Sequence, residues 1–405
     1  MKSISKKVMA GLLVGATSLS IWAPSSEAAA PEKNRYYSIH LKANPNLAWG
    51  VLGNDNNRAI FLLPGNAGDN AQFVFFPLDG QNYAIVNKNS GKPATFGVIS
   101  PDPFGTNNDG MVTNNRESLL QRSWTGASTE QWYLRDKGNN NYEIVNQGNG
   151  KVASYARGVI DYVDLDESNP SDSDRVFNID KSPGGIEFPG IPGMDMSYGT
   201  FLLPTLPDVG TRPEAPDYNN TLKDPNEQLP QTSESVVVGA SLIPCIMVKD
   251  SQTSDYTKIH NSPYYTLVKE EYWEKVFSAV VPAGVTRNYT LKTGMTKVDQ
   301  QKMTDTLSMS IGTDFGLKFG EATASLKASI TKTLQTEIST TETNIDEDSD
   351  SVTVTSAAGK TTGYTGYQLV TKYTLKRADG SVVSNPWTVK KPKNTAVRPM
   401  EKVNN

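Results

Sequence analysis

The chain has 405 residues, enough for about two or three domains, and its formal net charge of −4 gives no reason to expect a nucleic-acid partner. Its two histidines, His40 and His260, lie far apart, and no metal-binding, nucleophile or phosphate-loop pattern is present, so we expect no cofactor and no enzymatic activity. The single cysteine, Cys245, excludes an internal disulfide and is interpreted as a small buried side chain.

The N-terminus has the pattern of a secretory signal peptide. Three lysines precede an apolar run from Val8 to Ile21, and Ala28 and Ala30 have the spacing of a cleavage site. We therefore predict a signal peptide over residues 1–30, a mature chain that starts near Pro31, and secretion. No later stretch is long and apolar enough for a transmembrane helix. Entry of the mature chain into a bilayer would require strands in a closed barrel.

Residues 31–182 contain a threefold internal repeat. The sequence Asn82–Asn87 recurs as Asn141–Asn146 and, more weakly, from Tyr36 onwards. Three copies of short strands at this spacing predict three lobes around one axis, because no lobe could bury its apolar face alone. A second element with a buried aromatic residue recurs in step at Gln72–Phe75, Gln131–Leu134 and Arg175–Phe177.

A change of composition separates this region from a second one. Residues 183–232 are rich in proline and glycine, which predicts an extended connector on the surface. Strand patterns return from Ser233, and we predict a second β domain over residues 233–405. Within it we expect long alternating strands over Val298–Thr343 and a peripheral tail from Pro386.

The most informative pattern of the second domain extends from Leu307 to Leu334. If Gly320 and Glu321 form a two-residue turn, the flanking arms pair as a hairpin with one apolar face and one face rich in serine and threonine. Each arm has about the 9–11 residues that a membrane-spanning strand requires. The competing interpretation is a half-buried sheet with its apolar side on the core.

This register assigns the side chains to two faces. Ala328, opposite Thr313, falls on the apolar face, and its neighbour Lys327 falls on the polar face. The residues predicted to face lipid are Leu307, Met309, Ile311, Phe315, Leu317, Phe319, Ala324, Leu326 and Ile330. The residues predicted to line a pore are Ser308, Ser310, Asp314, Lys318, Ser325, Lys327 and Ser329.

The first region resembles the ricin-type β-trefoil lectins through the sequence Glu130–Trp132, which is similar to their Gln-x-Trp element. Sugar-binding lobes of that family carry an aspartate a few residues after the lobe's glycine, where this chain has Gly50, Thr95 and Ser154. The resemblance therefore implies degraded galactose sites and a core position for Trp132. The loops left for receptor recognition include Pro101–Leu120 and Val159–Asp174.

The second region resembles the Bin-type insecticidal toxins of spore-forming bacilli. The motifs that carry this resemblance follow a proline-rich lead-in and are Gly239–Pro244, Asp250, Ser262–Tyr265 and Tyr272-Trp273. The resemblance implies an all-β chain, with an N-terminal β-trefoil followed by an elongated aerolysin-like β-sheet domain that forms pores. The composition and place of residues 307–334 match the pore-forming hairpin of aerolysin-type toxins.

The resemblance and the patterns together predict a secreted pore-forming toxin. Its trefoil would bind a glycan or protein receptor on a target cell, and homo-oligomers on the membrane would insert the 307–334 hairpins as one barrel. The sequence does not decide whether a second toxin component is required. The alternative is a carbohydrate-binding adhesin without pore activity. A secreted glycosidase with a lectin module would need a catalytic pair of carboxylates that the sequence does not present.

Overall fold

The computed structural model describes residues 30–64, 68–98, 117–158, 160–180, 199–218 and 228–403. The predicted signal peptide up to residue 29 and most of the predicted loop Pro101–Leu120 lie outside these residues.

The N-terminal domain is a β-trefoil. A ring of six strands closes through the pairings β1–β12, β12–β9, β9–β8, β8–β5, β5–β4 and β4–β1, and three hairpins meet at one end through β3–β7, β7–β11 and β11–β3. The predicted threefold arrangement is thus confirmed. The strands are β1 (Tyr36–Leu41), β2 (Asn44–Val51), β3 (Arg58–Pro64), β4 (Phe73–Pro77), β5 (Asn82–Asn87), β6 (Ala94–Val98), β7 (Glu117–Gln121), β8 (Trp132–Asp136), β9 (Asn141–Asn146), β10 (Val152–Ala156), β11 (Tyr162–Asp166) and β12 (Phe177–Asp180).

The internal repeat corresponds to a repeated set of hydrogen bonds. The side-chain nitrogen of Asn146 donates to the carbonyl of Thr129 at 3.0 Å, and its side-chain oxygen accepts from the backbone of Gly148 at 2.9 Å. Asn87 makes the equivalent pair of contacts in the preceding lobe. Trp132 is fully buried and its ring nitrogen donates to the carbonyl of Ala94 at 2.9 Å, which confirms its core position.

The second domain is built on a four-stranded antiparallel sheet in the order β13–β14–β19–β20. Two smaller sheets pair β15 with β18 and β16 with β17. The strands are β13 (Val236–Pro244), β14 (Tyr264–Val281), β15 (Thr286–Thr293), β16 (Met309–Ile311), β17 (Leu317–Phe319), β18 (Asp348–Thr355), β19 (Lys360–Lys376) and β20 (Trp387–Val403). The helices are α1 (Asp255–Asn261), α2 (Lys297–Leu307), α3 (Glu321–Ala324) and α4 (Lys327–Leu334).

Two expectations for the second domain are wrong. The region Val298–Thr343 is not a set of long strands, because it contains α2, α3 and α4. The hydroxyl of Thr296 accepts from the backbone of Asp299 at 3.1 Å, and this N-cap starts α2. The tail is not peripheral, because β20 pairs along β19 and buries Trp387 and Val389.

The described parts of the proline-rich connector contact both domains. Near its start, the backbone of Phe201 donates to the carbonyl of Asn34 in the trefoil at 2.9 Å, and its later parts lie along the second domain. The guanidinium of Arg212 pairs with the buried carboxylate of Glu271 at 2.5 Å, and the ring nitrogen of Trp273 donates to the carbonyl of Pro213 at 2.8 Å. Ala215 and Leu229 pack with Tyr367 in a small buried cluster. These contacts fix the connector to the sheet.

The trefoil and the second domain are packed against each other. Lys92 of the trefoil pairs with Asp255 at 3.2 Å, and the hydroxyl of Tyr36 donates to the carbonyl of Ile259 at 3.0 Å. A Cβ at Gly91 would overlap the backbone carbonyl of Asp255. The turn that contains Gly91 therefore approaches α1 as closely as its backbone permits.

We expect Gly91→Ala to weaken the packing of the two domains. Gly91 has φ +68° and Gly150, at the equivalent position of the next lobe, has φ +74°, but a Cβ at Gly150 would meet no atom within 4 Å. Gly150→Ala therefore controls for backbone strain. Overpacking predicts that Gly91→Ala lowers the free energy of unfolding by about 1–3 kcal/mol more than Gly150→Ala in denaturant titrations. Equal losses would contradict this packing.

Candidate functional site

The segment 307–334 does not form the predicted hairpin in this structure. Its short hairpin pairs Met309 with Phe319 and Ile311 with Leu317, so the chain turns at residues 312–316. Gly320 and Glu321 are not a two-residue turn, because Gly320 is the N-cap of α3 and Glu321 is its first residue. The second predicted arm is helical, as α3 and α4.

The apolar spacing of the second arm explains this correction. Ala322, Leu326, Ile330 and Leu334 recur at every fourth position. Four is a multiple of the strand period of two, but it is also the spacing of neighbours on one helix face. Leu326, Ile330 and Leu334 are buried in the structure, so the helix directs this row onto the core.

The residues predicted to face lipid mostly lie inside the protein. Phe315 and Phe319 are partly buried against the same core, whereas Ala324 is exposed. Leu307 is not in a strand, because it is the last residue of α2. The rest of the first arm keeps its apolar face inward as a short strand pair, and the second arm does so mainly through α4. The buried members of the predicted set are Leu307, Met309, Ile311, Leu317, Leu326 and Ile330.

The residues predicted to line a pore lie mostly at the surface or close to it. Asp314, Lys327 and Ser329 are exposed, and Ser308, Lys318 and Ser325 are half-buried. Ser310 is the exception, because it is buried and its hydroxyl donates to the side chain of Asn344 at 3.1 Å. The two predicted faces are therefore largely separated in the folded chain, although the predicted hairpin is absent.

The second domain holds the C-terminal end of α4. The ammonium of Lys269 donates to the carbonyls of Leu334 and Gln335, each at 3.2 Å, at the end of the helix where a cation is favourable. Burial lowers the pKa of Lys269 to about 8. A Cβ at Gly239 would overlap the backbone of Leu334, so β13 and α4 are in close contact.

The turn between β16 and β17 is fixed by Asp314. Its carboxylate accepts from the backbone of Thr340 at 2.8 Å, from the Thr340 hydroxyl at 3.0 Å and from the backbone of Gly316 at 3.1 Å. These hydrogen bonds, led by the one from the Thr340 backbone, lower the pKa of Asp314 to about 2. The ammonium of Lys318 also donates to the carbonyl of Glu342. Residues 314–318 are therefore tied to residues 340–342.

The trefoil lobes lack the carboxylate expected of a galactose site. Thr95 and Ser154 are buried, and the hydroxyl of Ser154 donates to Asp166 at 3.1 Å. Gly50 lies in β2, where it pairs with Phe61. Each position named by the lectin resemblance is thus a small residue inside the sheet.

The other residues that could carry chemistry are buried or paired with neighbouring side chains. The Cys245 thiol is buried, and burial raises its pKa to about 12. A cleft of about 910 Å³ between the domains is lined by Lys92, Asp255 and Lys258, among others. Their charges pair with one another, at 3.2 Å for Lys92–Asp255 and 3.0 Å for Lys258–Asp255.

The described ranges also lack a metal-ligand cluster and a membrane-spanning helix. No group of three or more histidine, cysteine, aspartate or glutamate side chains there could hold a metal ion. No helix in the same part of the chain has the length and apolar composition needed to cross a membrane.

Both domains are similar to known protein families. Residues 236–398 match the family described as Insecticidal Crystal Toxin, P42, and residues 69–159 match the family described as Ricin-type beta-trefoil lectin domain-like. The binary larvicide subunit BinA of Lysinibacillus sphaericus is 29% identical over 79% of this chain and 78% of its own length. The subunit BinB of that organism is 26% identical over 77% of this chain and 66% of its own length.

A solved structure supports the same relationship at the level of the fold. The crystal structure of Cry35Ab1 superimposes with a TM-score of 0.73 at 20% identity, over 91% of this chain and 90% of that one. In sequence, the insecticidal crystal protein Cry35Ab1 of Bacillus thuringiensis is 24% identical over 87% of this chain. The expected architecture, a β-trefoil followed by a second domain built mainly of β-strands, and the resemblance to Bin-type toxins are confirmed.

We expect Asp314 to make the β16–β17 turn sensitive to acid. Its folded-state pKa of about 2 lies below its ordinary value of 3.8, so its stabilising contribution is present above pH 3.8 and is lost as the pH falls towards 2. Hydrogen exchange of the Thr340 amide should accelerate across this window relative to amides elsewhere in the domain. Asp314→Asn should remove that dependence. An unchanged dependence in the variant would assign it to another group.

We expect the protein to bind simple galactosides weakly or not at all, because Gly50, Thr95 and Ser154 stand where the lectin family's aspartate is expected. Calorimetric titration with galactose and lactose should give no saturable binding at millimolar sugar. Saturable binding that Ser154→Ala or Thr95→Ala abolished, without loss of stability, would place a functional sugar site in the corresponding lobe.

Proposed function

We propose that this chain, a relative of the Bin and Cry35 insecticidal toxins, is a secreted toxin that forms β-barrel pores in target-cell membranes of an insect. Its trefoil binds a glycan or protein receptor, and its second domain supplies the pore-forming segment 307–334. The matched toxin family over residues 236–398 and the BinA and BinB relatives support a toxin. The trefoil, with its match to a lectin-like family, supports a recognition domain.

The observation that carries the pore-forming role is the separation of two faces along the segment. Leu317 and Ile330 are buried in the core, whereas Lys327 and Ser329 are exposed. If the chain extends about Gly320 and Glu321, the same apolar residues lie on one side of a hairpin. Each arm then has the length and alternation of a membrane strand.

Oligomerisation follows from the physics of the bilayer. A single inserted hairpin would leave the backbone groups at its two edges without partners in lipid, and each such group is costly. Hairpins from several copies of this chain remove those edges when they close into one barrel. The relatives are named as subunits of a binary larvicide, which supports a second protein component as well.

Dye release from liposomes, before and after protease treatment, separates this proposal from its rival. A pore-forming toxin should release a trapped dye at least from vesicles that contain a receptor extract. A carbohydrate-binding adhesin should bind such membranes without leakage. Absence of leakage from receptor-containing vesicles at saturating bound protein would overturn the proposal and leave the adhesin.

The hairpin register makes a sharper prediction. Lys327 and Ala328 are both exposed on α4, but extension places Lys327 in the lumen and Ala328 on the lipid side. The double variant Lys327→Ala, Ala328→Lys keeps the composition and the net charge. It should fold normally yet lose leakage, because a lysine facing lipid near the midplane costs roughly 2–4 kcal/mol per subunit.

The matched control is the single variant Lys327→Ala, which removes the same lumenal charge without placing one in lipid. It should keep leakage, with at most a change in ion selectivity. Circular dichroism and unfolding midpoints establish that both variants are folded. Full leakage by the double variant would mean that residues 327 and 328 do not face the barrel in this register.

A further inference from the structure

The trefoil contacts the pore-forming segment directly, through two loops of one lobe. The carboxylate of Asp79, in the turn between β4 and β5, accepts from the backbone of Ala328 at 2.9 Å and of Ser329 at 3.1 Å. Its own backbone donates to the carbonyl of Ser325 at 2.6 Å. Leu326, at the N-cap of α4, offers no side-chain acceptor, so Asp79 supplies the cap from another domain.

A second loop of the trefoil holds the residues that precede α4. The ring nitrogen of Trp124 donates to the carbonyl of Ala322 at 2.7 Å. A Cβ at Gly126 would overlap the backbone of Glu321, so the loop and α3 are in direct backbone contact. The buried carboxylate of Glu130 accepts from the backbones of Thr125 and Gly126, at 2.8 and 2.9 Å, which fixes the shape of this loop.

These contacts matter because α3 and α4 are weak helices on their own. They have four and eight residues, and isolated helices shorter than about 12–15 residues are marginal in water. No side-chain hydrogen bond from within the segment caps either N-terminus. The helical form of this segment therefore depends on partners outside it, and the trefoil provides them at the N-terminal side of α4.

The turn around Asp79 is also distinct from its counterpart in the next lobe. Leu78 and Lys137 make the same turn-closing hydrogen bond, to Asn82 and Asn141, each at 2.8 Å. The residue that follows is Asp79 in one turn and Gly138 in the other. The position of Asp79 is thus occupied by a carboxylate in the turn that faces α4 and by a glycine in the equivalent turn of the next lobe.

We propose that the trefoil is an autoinhibitory latch. Asp79, Trp124 and Gly126 keep residues 321–334 helical against the second domain, and the trefoil must leave this segment before the segment can extend into a strand. The inference builds on the proposed function, because it concerns the release of the same segment. It adds a role for the trefoil besides recognition: a receptor or partner that shifts the trefoil would also release the hairpin.

The test measures amide hydrogen exchange of residues 321–334 in the full-length soluble protein, so it does not depend on pore formation. Asp79→Ala removes the cap and should accelerate exchange in this segment by roughly 5–30-fold. The control is Asp55→Ala, because Asp55 is an exposed trefoil carboxylate paired with Arg58 three residues along the chain. Exchange in 321–334 should not change in the control.

Glycine variants provide a second, independent test of the latch. Gly126→Ala should also accelerate exchange of residues 321–334, whereas Gly150→Ala, also at positive φ but with no atom near its Cβ, should not. Gly91→Ala disturbs the trefoil at α1 and should accelerate exchange there more than in α4. Unchanged exchange of 321–334 in both Asp79→Ala and Gly126→Ala would overturn the latch. Equal acceleration of α1 and α4 in all three interface variants would overturn the specific role of Asp79, Trp124 and Gly126, because any disturbance of the interface would then release the segment.

Leakage then distinguishes the latch from the proposed function. If both hold, Asp79→Ala and Gly126→Ala should release dye from liposomes severalfold faster than the wild type, and the two control variants should match the wild type. Faster exchange without leakage from any variant would support the latch and contradict the pore. Leakage at the wild-type rate, despite faster exchange, would show that the trefoil does not restrain insertion and would overturn autoinhibition.

Discussion

The rest of the structure depends on one apolar core that the trefoil and the second domain share. Val74, Phe76 and Val86 of the trefoil lie in the same buried cluster as Ile243, Tyr264 and Leu326 of the second domain. The trefoil also has a separate core, around Trp49, Phe73 and Trp132, which its three lobes build together. Each domain therefore has apolar contacts of its own, and the shared core also includes buried residues of the segment 307–334. Separation of the domains would expose apolar surface, which is unfavourable in water and favourable beside a membrane.

The trefoil could be predicted because its sequence repeats the residues that make the same local contacts in successive lobes. Asn87 and Asn146 each close a turn with the same hydrogen bonds, and Phe75 and Leu134 recur beside them in paired strands. Such local contacts leave a signal at a fixed spacing. The contacts made by the trefoil with its neighbour leave none, because Asp79 and Trp124 bind backbone atoms more than 190 positions away. Backbone partners carry no sequence pattern, so the latch residues were not among the predicted site residues.

The second domain was predicted less well, for two physical reasons. At the start of α2, Thr296 and Asp299 form a helix-start signal, and this local signal outweighs the strand-like alternation of the residues around it. In α4, apolar residues at every fourth position satisfy the periods of both a strand and a helix, so the pattern could not choose between them. The choice is made by tertiary contacts at the two ends of the helix. Lys269 binds its last carbonyls and Asp79 binds its first amides, and both lie far away in the sequence.

This ambiguity of pattern is what a segment with two conformations requires. Leu326, Ile330 and Leu334 face the protein core in the folded chain, and in the proposed barrel they would face lipid from one side of a strand, so they would be out of water in both forms. The free-energy difference between the helical form and the strand form would then arise from backbone N–H and C=O groups, which apolar burial leaves without hydrogen-bond partners. In the folded chain those groups are the helix ends, bound by Asp79 and Lys269. In a barrel they would be the strand edges, bound by neighbouring copies. Under this proposal, the balance between the two forms would depend on polar contacts at the ends of a short helix, and the removal of one carboxylate would shift it.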